Sequence, residues 1–250
     1  MNYITLISDW HSCEPYLSML KGRIYSRLSD VIIMDITHEI EMRNINQTAF
    51  LLRCTYPSFP EGTIHLILTG ISYSLPSNPV VVQCGNHYFI GEDSGIFSLL
   101  FYDQENIKMV RQYQGNETNF LEKMVSLLAS CVQGNVEERT IPYEYIRKLP
   151  FTAEYLPNKK MIVGHVLYID SQNNILTNIP TDLFMRYVKI EKFSASVGNL
   201  TVSHFHSTYQ NDSEPYFIPN SLGVMEITIF AGRISILSKW QKDSSIEIYC

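Results

Sequence analysis

Short, almost wholly apolar segments alternate with stretches of helical periodicity in the first half of the sequence. Residues 31–36 are nearly all apolar, as expected for a strand of a parallel sheet that is buried on both faces. Residues 3–8 and 63–68 have the same character, while residues 14–26 and 45–56 carry apolar side chains at helical spacing. This order predicts an α/β domain with a doubly wound, mainly parallel sheet. Further along, we expect a hairpin over residues 80–90 and a helix over residues 120–131.

The pattern changes in the second half. A stretch with three prolines between residues 141 and 160 precedes a series of short apolar segments separated by turn residues. We therefore predict an α/β domain over residues 1–145, a linker over residues 146–160, and a smaller antiparallel all-β barrel or sandwich over residues 161–250. The predicted strands of the second domain are 161–170, 187–193, 200–205, 224–230, 234–237 and 246–249.

Composition and charge limit the partners of the chain. Its formal net charge is −6 and its pI is about 5.6, so no basic face for nucleic acid is expected. No apolar run reaches the roughly 18 residues that span a bilayer, and the first residues lack the charged segment of a secretion signal. Five dispersed cysteines without a C-x-x-C pair indicate neither disulfides nor zinc. We expect a cytoplasmic protein that binds no nucleic acid, membrane or metal.

Seven fragments of the sequence occur in the order and spacing of one known family. They are ITLISD at residues 4–9, VIIMDITH at 31–38, FPEGTIH at 59–65, GEDSG at 91–95, GHVLYID at 164–170, NILTN at 174–178 and GVMEI at 223–227. Together they resemble the S-adenosylmethionine (SAM) hydroxide adenosyltransferases, relatives of the fluorinases and chlorinases. The resemblance implies a protein that binds SAM or adenosine and needs no further cofactor. It also implies a homotrimer, with each ligand between the first domain of one subunit and the second domain of its neighbour.

The same resemblance implies ligand contacts for four residues. Asp9 ends the first strand, where open α/β sheets bind ligands, and its carboxylate is expected to accept both ribose hydroxyls. Asp170 is expected to face the amino group of the methionine moiety, and Asn174 the adenine ring. Glu14 occupies an acidic position of a family motif. In the local sequence alone, Asp9 could instead cap a helix or turn, and Asp170 with Asn174 could form an ordinary Asp/Asn turn.

Three other polar clusters have a structural and a functional interpretation. His38 could be a general base, or a buried histidine bonded to the backbone, which we favour. His204 and His206 lie on one face of a strand, and without a third ligand we interpret them as surface residues rather than a metal site. Residues 93–95 are expected to cap a short helix over residues 96–100.

The reaction of the family displaces methionine from the 5′ carbon of SAM by water or hydroxide and leaves adenosine. In the family an Asp, an Arg and a His orient that nucleophile. The matching positions of this chain are Gly70, Ser77 and Ser126, and none of them carries a charge. Nearby polar side chains that could substitute for the missing groups are Tyr73, Ser74, Glu117 and Glu122.

These features leave three hypotheses. The first is a SAM- or adenosine-binding protein in which SAM hydrolysis is weak or lost. The second is an active SAM hydroxide adenosyltransferase that positions water with substitute residues. The third is a trimeric interaction protein without a small ligand. Retention of Asp9, Asp170 and Asn174 argues against the third hypothesis, and the loss of three ionisable positions argues against the second.

Overall fold

The structure, a computed structural model, describes residues 1–71, 77–101, 106–144, 146–149, 153–170, 172–198, 200–230 and 244–250. It divides into two compact units, Met1–Pro150 and Phe151–Cys250. Each unit has its own sheet and its own hydrophobic core. Tyr73, Ser74 and the predicted strand over residues 234–237 lie outside the described residues.

The first unit alternates strands and helices. Its elements are β1 (Asn2–Ser8), α1 (Pro15–Arg27), β2 (Val31–Thr37), α2 (Ile45–Thr55), β3 (Ile64–Leu68), β4 (Val80–Cys84), β5 (His87–Gly91), α3 (Ile96–Leu100), β6 (Ile107–Tyr113), α4 (Phe120–Gln133) and β7 (Thr140–Pro142). The strands form one seven-stranded sheet in the order β2-β1-β3-β5-β4-β6-β7. The first four are parallel, and β4, β6 and β7 are added in antiparallel pairs. The predicted α/β class is confirmed.

Helices α1 and α4 cover one face of this sheet. Leu20 and Ile24 of α1 and Leu128 of α4 pack in one core with Leu6 of β1 and Leu66 of β3. Helix α2 packs against α3 and β1. All five residues of β3 are buried, as the continuous apolar run of that strand predicts.

Strand β2 is less buried than its sequence predicts. It lies at the edge of the sheet beside β1, and its side chains are half-buried or exposed. Met34, for example, is 41% exposed. The prediction that residues 31–36 are buried on both faces is therefore wrong within this unit, because an edge strand lacks the cover that a neighbouring strand and its helix provide.

The second unit is built almost wholly of strands. Its elements are β8 (Glu154–Leu156), β9 (Met161–Ile169), β10 (Ile175–Pro180), α5 (Thr181–Tyr187), β11 (Ser194–Val197), β12 (Leu200–Val202), β13 (His204–Phe205), β14 (Tyr216–Pro219), β15 (Val224–Thr228) and β16 (Ser245–Tyr249). The sheet has the order β12-β11-β16-β9-β10-β15-β14-β13, and β8 also pairs with β9. Apart from the parallel pair β13–β14, neighbouring strands are antiparallel. The predicted antiparallel all-β class is confirmed.

The two ends of this strand order are joined by the chain itself. Strands β12 and β13 stand at opposite ends of the order, yet Ser203 alone separates them in sequence. The sheet must therefore curl until its two edges nearly meet, which makes it almost a barrel. The predicted single strand over residues 200–205 is wrong, because the chain changes edges at Ser203.

The predicted strand over residues 187–193 is also wrong. Helix α5 ends at Tyr187, and the residues that follow form a loop and turn up to β11. Val188 and Phe193 are nevertheless buried, and they join the core around Phe184. Their burial from an irregular segment explains why apolar spacing was a poor guide to strand structure here.

A test of the packing of the second unit uses Gly164 in β9. A Cβ atom added there would lie 2.5 Å from Ile179 Cγ1 and 2.8 Å from Asn178 Oδ1. We expect Gly164→Ala to lower the free energy of unfolding by about 1–3 kcal/mol, because the buried neighbours must shift. Urea unfolding measures this change.

The matched control is Gly22→Ala, the same substitution in helix α1. A Cβ atom at Gly22 meets no heavy atom within 4 Å. We expect this variant to be more stable than the parent by about 0.5–1 kcal/mol, because alanine loses less backbone entropy than glycine in a helix. Equal stability of Gly164→Ala and the parent would contradict the close packing of β9 on β10.

Candidate functional site

Asp9 follows β1 and holds two loops at the carboxyl end of the parallel strands. Its Oδ2 atom accepts the backbone N–H groups of Arg43, at 2.8 Å, and of Gly70, at 3.1 Å. Both donors lie in the left-handed region, with φ of +59° and +71°. Asp9 thus stabilises turns, as its local sequence allows. Within the described chain its Oδ1 atom accepts no hydrogen bond, so the predicted ribose contact remains open to it.

Gly70 begins the loop after β3 and occupies the position of the family Asp. A Cβ atom there would lie 3.4 Å from Ile45 Cγ2, in ordinary contact. The cost of a side chain comes instead from the backbone, since a non-glycine residue in the left-handed region costs roughly 1–2 kcal/mol. The backbone of this loop therefore adopts a conformation at position 70 that favours glycine.

His11 and Glu39 meet at the same edge of the sheet. His11 Nδ1 lies 3.1 Å from Glu39 Oε2, and Ser12 donates its hydroxyl and its N–H to Glu39 Oε1. The bond to Glu39 raises the pKa of His11, and the bonds from His11 and Ser12 hold the pKa of Glu39 at about 2. Sequence reasoning missed this pair. Its only signal was position, because His11 follows β1 and Glu39 follows β2, and the ends of neighbouring parallel strands share one edge.

His38 is buried, as expected, but its ring contacts side chains rather than the backbone, with a hydrogen bond at Nδ1 and a charged neighbour at Nε2. Its Nδ1 atom lies 2.7 Å from Ser8 Oγ, and its Nε2 atom lies 3.1 Å from Asp35 Oδ1. Lys21 donates to the other oxygen of Asp35 at 2.6 Å. The backbone partner in the prediction is therefore wrong. The ring supports the strand end behind Asp9, and a role as general base stays a prediction.

Two acidic residues near helix starts do not cap those helices with their side chains. Glu14 is the N-cap residue of α1 but makes no capping hydrogen bond, and its predicted ligand contact stays a prediction. The expected cap of α3 by residues 93–95 is confirmed, since Gly95 is its N-cap residue, although no side chain makes a capping hydrogen bond. Asp93 instead accepts the backbone N–H of Arg147 at 2.9 Å and so holds the segment after β7.

Ser77, at the position of the family Arg, contacts a cation supplied by α4. Lys123 donates from Nζ to the Ser77 carbonyl, at 3.0 Å, and to Asn78 Oδ1, at 2.7 Å. Lys123 is only 9% exposed. Ser77 Oγ is buried and has no hydrogen-bond partner in the described structure. A positive charge is therefore present beside Ser77, but it is used to fasten the backbone that leads into β4.

Ser126, at the position of the family His, is part of a charged cluster. Its hydroxyl donates to Glu117 Oε1 at 2.7 Å and accepts from Arg27 Nη1 at 2.8 Å. Arg139 Nη1 lies 3.7 Å from the same oxygen of Glu117, and Tyr113 donates to the other. The bond from Ser126, with the nearby arginines, lowers the pKa of Glu117. Both oxygens of this carboxylate are thus occupied.

The three degenerate positions do not all meet in one cluster. Gly70 bonds to Asp9, Ser77 to Lys123, and Ser126 to Glu117, and no hydrogen bond among the described residues joins these three groups. Glu122, the other proposed substitute, pairs with Arg23 at 3.1 Å.

Asp170 in the second unit organises a tight turn between β9 and β10. Its Oδ1 atom accepts the N–H groups of Gln172 and Asn174, both at 2.8 Å, and its Oδ2 atom accepts the amide of Asn174 at 3.0 Å. Asn173 has φ of +67° in the same turn. The Asp/Asn turn of the local interpretation is thus present, and ligand contact by Asp170 stays a prediction.

A pocket of about 460 Å³ opens beside this turn. Its lining combines amides, hydroxyls and aromatic rings from Gln172, Asn174, Tyr209, Gln210, Asn211, Tyr216, Thr228, Ile229 and Phe230. Asn174 is buried, and its side-chain oxygen accepts the Thr228 hydroxyl at 2.6 Å. Burial and a 2.8 Å hydrogen bond to the buried Glu226 raise the pKa of Tyr209 to about 12, so this phenol is neutral and fixed. The lining of the pocket therefore combines aromatic side chains with hydrogen-bonding groups.

His204 and His206 both approach Asp212. His206 Nε2 lies 3.0 Å, and His204 Nδ1 3.4 Å, from Asp212 Oδ2. Across the residues that the structure describes, no group of three or more His, Cys, Asp or Glu side chains has a geometry that could hold a metal ion. The same residues include no helix of the length and apolarity needed to cross a membrane.

Comparison with known proteins places this chain in a family. The family model of the SAM hydroxide adenosyltransferase N-terminal domain matches residues 4–128, and that of the C-terminal domain matches residues 164–247. The chain belongs to the SAM hydroxide adenosyltransferase family. The two matches begin with β1 and β9, so each falls on one of the two structural units.

Relatives in this family share about a quarter of the sequence or less. The chain is 24% identical to the (R)-S-adenosyl-L-methionine hydrolase of Methanocaldococcus jannaschii over 269 residues, which cover 99% of this chain and 96% of that protein. The hydrolase of the same name from Thermus thermophilus is 23% identical over 99 residues, 40% of this chain and 38% of that protein.

Two solved structures share the fold of this chain. A crystal structure of an uncharacterized conserved protein from Thermotoga maritima has a TM-score of 0.83 at 20% identity, with full coverage of both chains. A conserved hypothetical protein from Thermus thermophilus has a TM-score of 0.73 at 18% identity, over 99% of this chain and 100% of that one.

Asp9→Ala tests the turn-stabilising role of this carboxylate without any ligand. The substitution leaves the N–H groups of Arg43 and Gly70 without their acceptor. We expect a loss of about 1–3 kcal/mol in the free energy of unfolding, measured with urea. Asp9→Asn keeps one acceptor oxygen and should recover most of that loss. Equal stability of Asp9→Ala and the parent would show that the two hydrogen bonds contribute little.

Proposed function

We propose that this protein binds SAM or adenosine and hydrolyses SAM to adenosine and methionine slowly or not at all. The family membership supports SAM or adenosine as the ligand. Asp9 and the pocket beside Asn174 are the two parts of the structure that would hold that ligand. The observation that carries the low activity is the state of the three nucleophile-orienting positions. Gly70 has no side chain, and the hydroxyl of Ser126 is engaged with Glu117 and Arg27.

The binding half of the proposal rests on unused hydrogen-bonding capacity. Among the residues that the structure describes, the Oδ1 atom of Asp9 accepts no hydrogen bond, so it could accept a ribose hydroxyl at the end of β1, where ligands bind in open α/β sheets. The pocket beside Asn174 joins Tyr209 and Phe230 to several amides, a lining suited to a purine. On the resemblance to the family, we propose that the two parts come from neighbouring subunits of a homotrimer.

The catalytic half rests on the chemistry of the displacement. The sulfonium is a good leaving group, so the protein mainly has to align and desolvate a water molecule. Loss of one group that orients or polarises a nucleophile commonly costs on the order of 10²- to 10⁴-fold in rate. Groups that act as a unit do not multiply their losses. We therefore expect a low rate of hydrolysis, but not one reduced by three separate factors multiplied together.

Binding is tested by calorimetry and thermal shift with adenosine and SAM. We expect a rise in melting temperature with either ligand at millimolar concentration. Asp9→Asn should weaken affinity about tenfold or more, because a hydrogen bond to a charged group is worth about 1.5–3 kcal/mol. Asp30→Asn is the matched control, since Asp30 is an exposed carboxylate paired with the N-terminus. Absence of heat and of thermal shift with both ligands would refute the proposed ligand class.

Turnover is tested by chromatography for adenosine and methionine after long incubation with SAM. The relatives' name specifies the (R) sulfonium epimer, so both epimers should be supplied. We expect a rate at least about 100-fold below that of the Methanocaldococcus jannaschii hydrolase under the same conditions. A comparable rate would favour the active enzyme with substitute residues.

Assembly is tested by light scattering. A site shared between neighbouring subunits requires a closed ring, and a C3 trimer is the form that the family resemblance implies. We expect a mass of about three times the 28.9 kDa chain. A monomer at micromolar concentration would remove the shared site and with it the proposed arrangement of Asp9 and Asn174.

A further inference from the structure

His11 is held in an unusual backbone conformation beside Asp9. Its φ is +54°, in the left-handed region, although it is not a glycine. The backbone is fixed on both sides, because the His11 N–H donates to the His38 carbonyl at 3.0 Å and the His11 carbonyl accepts the Glu14 N–H at 3.2 Å. Strained residues of this kind cluster at functional sites, where the surrounding structure enforces them.

Glu39 fixes the orientation of the His11 ring. A carboxylate can only accept hydrogen bonds, so the 3.1 Å contact requires that His11 Nδ1 carries the proton. The neutral ring then presents the lone pair of Nε2. Glu39 is itself held by the hydroxyl and N–H of Ser12, so it cannot turn away without losing these bonds.

The dyad is open to solvent and lies at the carboxyl edge of the parallel strands β1 and β2. The side chains of His11 and Glu39 are 52% and 63% exposed. His11 is two residues from Asp9, and the charges of Asp9 and Glu14 act on its ring in addition to that of Glu39. A ligand whose ribose is bound by Asp9 would therefore have an oriented, accessible base beside it.

We propose that His11, oriented by Glu39, is the general base of the slow hydrolysis. This inference rests on the proposed function, because it needs SAM bound at Asp9. A water oxygen attacks the 5′ carbon, a C–O bond forms, and the C–S bond breaks with its electron pair passing to sulfur. Methionine leaves as a neutral thioether, and the proton of the water passes to His11 Nε2. The products are adenosine, methionine and an imidazolium that returns its proton to solvent.

The ionisable groups beside Ser126 and Ser77 are already engaged. Glu117 has both oxygens in hydrogen bonds to Ser126 and Tyr113. Lys123 donates to backbone and side-chain oxygens before β4. His11 differs from both, because its Nε2 atom has no hydrogen-bond partner in the described structure and its side chain is 52% exposed. It is therefore the better base for a water molecule.

The dyad also fixes the sign of the pH dependence. General-base catalysis needs neutral His11, and the hydrogen bond to Glu39 raises its pKa above the ordinary value. The carboxylates of Asp9 and Glu14 also raise the pKa of His11. The neighbouring His38 is buried, and its ring contacts Ser8 and Asp35. The rate should therefore rise with pH through this raised pKa. Glu39→Gln should move the midpoint to lower pH, a change that a merely structural role of Glu39 would not produce.

The variant His11→Asn tests the role of the ring. Asparagine tolerates a left-handed backbone, so the loop should persist. We expect SAM turnover to fall about 100-fold or more, while affinity for adenosine stays within about twofold of the parent. His165→Asn is the matched control, because His165 is exposed on β9 and lies outside the pocket lining. In His11→Gly, added imidazole should restore part of the rate, since it supplies the missing base.

The outcomes separate this inference from the proposed function. A parent protein that binds SAM but gives no products, or products at the same rate in His11→Asn, would overturn the role of His11 and leave the binding proposal intact. A parent that binds neither SAM nor adenosine would overturn both. A His11-dependent rate with imidazole rescue and the shifted pH midpoint of Glu39→Gln would support it.

Discussion

One carboxylate oxygen shapes the whole carboxyl edge of the parallel sheet. Asp9 Oδ2 receives the N–H groups of Arg43 and Gly70, the first from the loop before α2 and the second from the loop after β3. Both residues take left-handed backbone conformations, which glycine adopts readily at position 70 but which are unfavourable for Arg43. The two hydrogen bonds bring the ends of β1 and β3 and the loop after β2 close together. His11 and Glu39 meet at the edge that these segments form.

The two carboxylates assigned to ligand binding differ in the capacity that the fold leaves to them. A carboxylate offers about four lone-pair sites. Among the described residues, Asp9 uses two of them for backbone N–H groups, both on one oxygen, and its other oxygen accepts no hydrogen bond. Asp170 uses three for its own turn. A charge-assisted bond to one ammonium hydrogen is still available to Asp170, but it cannot serve two donors. Each carboxylate could therefore hold its turn and contact a ligand at the same time. Asp9 has more remaining hydrogen-bonding capacity for this than Asp170.

The sequence predicts most of the fold because apolar runs and helical periodicity determine which segments are buried. The order of strands and helices up to β5 follows from these patterns, and so does the all-β character of the second unit. The errors share a physical cause. Residues 31–36 form an edge strand, residues 187–193 bury apolar side chains from a loop, and the strand over 200–205 breaks where the sheet nearly closes. Position within the sheet, not local sequence, decides these cases.

The candidate site was less predictable than the fold, because hydrogen bonding between distant residues is invisible in the sequence. The seven motif fragments imply ligand contacts for Asp9, Asp170 and Asn174, which stay predictions, but they do not show that all three residues hold turns or strands in place. The engagement of Ser126 by Arg27 joins residues 99 apart in the chain. The pairing of His11 with Glu39 likewise depends on the sheet order, which places β1 beside β2.

The charges at this edge explain why an oriented base would still give a slow reaction. SAM carries a positive sulfonium, and the acidic side chains of Asp9, Glu14 and Glu39 favour a cation there over neutral adenosine. The same charges stabilise the imidazolium of His11, so at neutral pH a smaller fraction of the ring is free to accept a proton. The negative charges that would favour binding of cationic SAM would therefore also reduce the fraction of His11 that is neutral and able to accept a proton. The cation beside Ser77 does not relieve this conflict, because Lys123 already donates to the Ser77 carbonyl and to the side chain of Asn78.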